Sequence, residues 1–135
     1  MSLESVRAFF HANAPDLHII ELATSTATVA LAAEAHGVEP GQIAKTLAFR
    51  VGERNVLLVA RGDARIDNKK IKDALGSKAK MLDAETVVAL TSHPVGGVCP
   101  FGLPRSHQGR TAEGRRKAPE ILRRSNTARI RFFLI

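Results

Sequence analysis

The chain has 135 residues, 44% hydrophobic and 24% charged, with one cysteine, no Trp and no Tyr; this is the size and composition of one folded domain, and it excludes an internal disulfide and a multi-cysteine zinc site. No apolar run approaches the roughly 18 residues that span a bilayer, and the opening MSLESVRAFF lacks the apolar block of a signal peptide, so a cytoplasmic, reducing setting and no membrane partner are expected. The net charge of +7 is unevenly placed, because residues 1–104 hold 11 Lys and Arg against 11 Asp and Glu while residues 105–135 hold 9 against 2. Any affinity for nucleic acid that rests on bulk charge therefore belongs to the last segment and not to the body.

Ser2 can cap a first helix whose Leu3, Val6, Phe9 and Phe10 share a face, and Pro15 ends it. His18–Leu22 reads as a short strand. The stretch TSTATVALAAEAHG offers Thr and Ser caps before an alanine-rich helix that Gly37 can close. Glu39–Gln42 reads as a turn or one helical turn. Lys45–Val51 and Val56–Ala60 form a predicted hairpin around the turn residues 52–55, with the second strand apolar enough to be buried on both faces. Asp67 can cap NKKIKDAL, stopped by Gly76; Lys78–Leu82 suits a strand; and Asp83 can cap AETVVALT. The chain then enters VGGVCPFG, residues 95–102. Beyond Arg105 it becomes Arg-rich, is broken by Pro119, and ends in the apolar Ile130–Ile135, which either adds a strand or is an exposed terminus.

Three features could carry chemistry, and each has an ordinary structural reading beside the functional one. Gly96-Gly97, three residues before Pro100, describe a shaped main chain that can aim N–H groups at a carbonyl oxygen or phosphate; the same residues also make a plain tight connection. Cys99 as a nucleophile needs a base such as His93 within reach and a lowered pKa, and is otherwise a small buried hydrophobe. Lys45 opens a strand after Ile43-Ala44, where its ammonium could reach a pocket or simply sit in solvent. His11, His18, His36, His93 and His107 lack metal-ligand spacing, and no Cys-x-x-Cys occurs, so no metal is expected.

Taken in order, TSTATVALAAEAHGV, IAKTLAFR, VLLVARGDARIDNKKIKDALG and VGGVCPFGLP resemble the YbaK-type aminoacyl-tRNA deacylases, relatives of the editing domain inserted in bacterial prolyl-tRNA synthetases. The resemblance covers residues 1–104 and leaves 105–135 as an atypical basic segment, without the further strands, the Gly- and His-containing segment and the final helix of that family. It implies an α/β domain with a mixed, barrel-like sheet flanked by helices, no cofactor, and hydrolysis in trans of the ester of a tRNA carrying a wrong small amino acid of the Ala, Cys or Ser class. A non-catalytic module holding a tRNA 3′ end or a nucleotide is the alternative. By the same resemblance Lys45 is the key functional residue, and Gly96, Gly97, Val98, Cys99 and Pro100 form the loop that faces the ester. Thr24, Ser25 and Thr26, which can equally be helix caps, and Phe101 are expected to contact substrate. Aminoacyl-tRNA is the implied partner, with an aminoacyl-tRNA synthetase and a second copy of the chain as further candidates.

Overall fold

A computed structural model describes residues 2–104, 110–111 and 131–134. Pro119, Ile130 and Ile135 lie outside the described residues, as does the side chain of Ser2. Four helices are described: α1 (Ser2–Asn13), α2 (Val29–His36), α3 (Asn68–Leu75) and α4 (Ala84–Thr91). Five strands accompany them: β1 (Ala44–Val51), β2 (Arg54–Arg61), β3 (Ala79–Met81), β4 (Arg110–Thr111) and β5 (Arg131–Leu134). The sheet runs β3-β1-β2-β5-β4, and every pairing among the described residues is antiparallel. Helices flank this sheet, which is the α/β architecture expected.

Local chemistry accounts for the helix ends. Thr28 caps α2 by accepting from the Leu31 N–H at 3.2 Å, and Gly37 closes it at φ 62°. The Asp67 carboxylate accepts from the N–H groups of Lys69 and Lys70. Asp83 accepts from the Thr86 N–H and hydroxyl, both at 2.8 Å, and the Thr86 N–H bond is the main reason its carboxyl titrates below the ordinary aspartate value. Pro40–Gln42 forms a single 3-10 turn.

The β1–β2 hairpin is in register from Ala44↔Arg61 to Val51↔Arg54. Its residues alternate between two cores. Ala48 and Leu57 pack with Val87 of α4 and with Leu103 on one face; Phe49, Val51, Val56 and Leu58 pack with Ile71 of α3 on the other. Leu57 and Leu58 are both completely buried, on opposite faces. This double burial is why β2 is apolar without alternation.

One expected strand is absent. Residues 18–22 are irregular, with Ile20 71% exposed and Glu21 held to Arg7 of α1 by a 2.6 Å ion pair. The short apolar run suits a strand, but none of the described strands pairs with it. At the other end of the chain, β5 pairs with β2 from Val59↔Arg131 to Val56↔Leu134.

Candidate functional site

The site forms where β1 outruns one of its neighbours. β2 lies along the whole of β1, whereas β3 faces only Phe49, Arg50 and Val51. Beyond the end of β3 the margin of β1 borders a cavity of about 370 Å³. Lys45 and Thr46 line it from β1, Thr26 from the segment entering α2, Val29 from the first turn of α2, and Gly96 and Val98 from the glycine loop. Ile43, Leu47, Leu82 and Val87 make much of the rest apolar.

Lys45 is half-buried. Its ammonium donates to the carbonyl oxygens of Gly62, at 3.3 Å, and of Ala64, both in the turn that leaves β2. Two of its three N–H donors are thus held by main chain, which fixes the charge in place and leaves one donor for a ligand. The turn is itself pinned, because the Gly62 N–H donates to the Ile43 carbonyl at 2.7 Å.

Gly96 has φ +90°, in the left-handed region that glycine tolerates and other residues avoid. Here the loop turns back against Ala27, whose Cβ and O would lie 3.3 and 3.4 Å from a side chain added at position 96. The Gly97 N–H donates to the Pro94 carbonyl at 2.9 Å and is committed to the turn. The N–H groups of Gly96, Val98 and Cys99 have no main-chain acceptor among the described residues.

A buried cluster anchors the loop at both ends. His93 is completely buried, and its Nε2 lies 2.7 Å from the Phe101 carbonyl oxygen. A carbonyl only accepts, so Nε2 carries the hydrogen and donates it. The His93 N–H donates to the Thr91 hydroxyl at 3.1 Å, and that hydroxyl donates to the Val87 carbonyl at 2.7 Å. The Cys99 thiol is 3.6 Å from both His93 Nε2 and the Phe101 carbonyl. Because Nε2 is already a donor, it cannot take the thiol proton, and burial pushes the thiol pKa above its ordinary value. The arrangement suits packing and does not generate a thiolate.

Of the residues singled out in the sequence, Lys45, Gly96, Val98 and Thr26 meet at the cavity. Gly97, Cys99 and Pro100 belong to the loop but are not part of the lining. Thr24 and Ser25 are exposed, the latter accepting from the Ala27 N–H at 3.5 Å. Phe101 packs against Phe9 and Phe10 of α1, with ring centroids 5.6 and 5.1 Å apart. Next to it, Gly102 lies so close to the α1 main chain that an added Cβ would stand 2.5 Å from the Ser5 carbonyl carbon. No local residue pattern marks His93 as the clamp, since only the folded chain sets Phe101 opposite its ring. Among the described residues no group of three His, Cys, Asp or Glu could hold a metal, and no helix is long and apolar enough to cross a membrane.

A cavity joining a lysine on β1 to a glycine-shaped loop, on an antiparallel sheet flanked by helices, defines a class: the chain belongs to the aminoacyl-tRNA editing domain family, whose model matches residues 23–111. Among individual relatives it is 50% identical over 104 residues to the uncharacterized protein YwhH of Bacillus subtilis (strain 168), covering 76% of this chain and 66% of that protein. It is 37% identical over 68 residues to the proline–tRNA ligase of Desulfovibrio desulfuricans, covering 50% of this chain and 12% of the ligase. The chain thus spans less than the full length of each. A crystal structure of a candidate trans-editing enzyme for prolyl tRNA synthetase superposes with a TM-score of 0.70 at 33% identity over 76% of this chain and 66% of that one. The hypothetical protein APE2540 gives a TM-score of 0.66 at 33% identity, over 75% and 68%.

Proposed function

We propose that the protein hydrolyses, in trans, the ester bond of a mischarged tRNA carrying a small amino acid of the Ala, Cys or Ser class. The observation that carries this reading is the shared lining of one cavity by Lys45, Gly96 and Val98. An aminoacyl ester is already activated, so catalysis needs positioning and stabilisation of the developing oxyanion more than a strong nucleophile. The N–H groups of Gly96 and Val98 are the candidate donors to that oxygen, since the Gly97 N–H is committed to Pro94. Lys45, with its one remaining donor, holds a phosphate or ribose oxygen of the terminal adenosine or adds positive charge beside the oxyanion. Water then attacks, and no covalent intermediate forms. The apolar walls and modest volume of the cavity favour a short side chain.

The test is ester loss from Ala-, Cys- and Ser-charged tRNA in the presence of the protein, against the Lys45→Ala variant. Turnover that depends on Lys45 is expected. Absence of turnover by folded protein, or full activity in Lys45→Ala, defeats the proposal. Binding of charged tRNA without turnover would favour a non-catalytic module for the 3′ end.

A further inference from the structure

The cavity wall contributed by β1 is main chain as well as side chain, and the direction of its polar groups can be worked out. In an antiparallel ladder the N–H and C=O of one residue point to the same side of the strand, and successive residues alternate sides. Two bonds set the phase. The Leu82 N–H donates to the Ala48 carbonyl at 3.1 Å on the β3 side, and the Gly62 N–H donates to the Ile43 carbonyl on the β2 side. Even-numbered residues of β1 therefore direct their main-chain groups toward the β3 side and odd-numbered ones toward β2. Ala44 and Thr46 are even-numbered and lie past the last rung that β3 and Leu82 supply. Their N–H and C=O groups face the open margin, which borders the cavity, and among the described residues no main-chain partner meets them there. Thr26 and Gly96 line the same cavity.

We propose that the Thr46 carbonyl oxygen accepts a hydrogen bond from the α-amino group of the bound aminoacyl ester, making a free amino group a requirement for recognition. This rests on the deacylase reading and adds to it. The glycine loop addresses the ester oxygen, and Lys45 the nucleotide or that same oxygen, which in either case leaves the amino group, the third polar feature of every aminoacyl ester, to be met. A carbonyl oxygen at a strand margin is an acceptor only, and it suits a donor that is ammonium or amine at neutral pH. Its position is set by the β1–β2 ladder and does not depend on any rotamer. The contact discriminates aminoacyl esters from acyl esters lacking nitrogen, while side-chain size is judged separately by the apolar walls.

The experiment compares alanyl-tRNA with propionyl-tRNA, which has the same carbon skeleton without the amino group, each rate divided by that ester's spontaneous hydrolysis. A fall of about 10- to 100-fold for propionyl-tRNA is expected, the range for losing a hydrogen bond to a charged group. Equal normalised rates overturn the inference and leave the deacylase reading standing. Calorimetric binding of 3′-alanylamido-3′-deoxyadenosine and its propionyl counterpart gives a readout independent of turnover: the alanyl compound should bind at least about 10-fold tighter, and equal affinities overturn the inference. Tighter binding with no ester cleaved would support the contact and defeat the deacylase reading. In Thr46→Val the discrimination should persist; its loss would assign the contact to the hydroxyl and overturn the main-chain proposal.

Discussion

Replacing Gly96 with alanine separates the shape of the loop from its composition. At φ +90° an L-residue carries a backbone cost of about 1–2 kcal/mol. The new methyl would also sit 3.3 Å from Ala27 Cβ and 3.4 Å from Ala27 O, closer than comfortable contact by a few tenths of an ångström. The loop relieves both by rotating position 96 away from Ala27, which turns the N–H groups at 96 and 98 off the cavity. Losing one well-aimed donor to an oxyanion costs roughly 3 kcal/mol, or on the order of 100-fold in kcat. The assay is single-turnover deacylation with urea unfolding in parallel: kcat should fall by about two orders of magnitude, against about 1–2 kcal/mol of stability. Gly97→Ala is the comparison, because its φ is ordinary and its added Cβ would meet Pro94 at 3.6 Å, a normal contact, so its stability should change by less than about 0.5 kcal/mol. Parental kcat and stability in Gly96→Ala would refute the reasoning.

Gly102→Ala should be worse for folding than either, since its Cβ would lie 2.5 Å from the Ser5 carbonyl carbon and 2.7 Å from the Val6 nitrogen; a loss of about 2–3 kcal/mol in urea melts, with faster amide exchange in α1, is expected. His93→Leu leaves the part-buried Phe101 carbonyl with only the weak Cys99 thiol donor at 3.6 Å and should cost about 1–3 kcal/mol, and His93→Gln, with an amide donor in place of the ring N–H, should recover part of that in the same melts. Cys99 should react with iodoacetamide at pH 8 far more slowly in native protein than in urea, because burial raises its pKa. The sign of the linked pH effect follows: above the ordinary cysteine value the unfolded chain ionises first, so stability falls as pH rises, a dependence that Cys99→Ala should lack when the two are compared by urea melts at pH 7 and pH 10.

The elements most legible in the sequence are those whose signals are local. Asp67 and Asp83 sit where a side-chain acceptor meets free helix N–H groups, and both cap as expected. The hairpin is also readable, though β1 begins at Ala44 and β2 at Arg54, where the ladder runs on past the residues whose side chains signal a strand. His18–Leu22 shows the limit of a short apolar run as a strand signal: a strand needs a neighbour, and a five-residue window cannot say whether one exists. The cavity was hidden for a related reason. It arises from the difference in length between two ladders on either side of β1, a relation among three distant segments. His93 and Phe101 likewise acquire their bond only when residues 93–101 close on themselves.

The half-covered state of β1 bears on how such a pocket can change over generations. A wall made of peptide groups presents the same hydrogen-bonding face whichever side chain stands at Ala44 or Thr46, so substitutions there can reshape the chamber without altering the polar groups along its margin. On the proposed contact, selectivity and attachment are uncoupled: side-chain changes at these two positions retune the space while the peptide groups stay as they are.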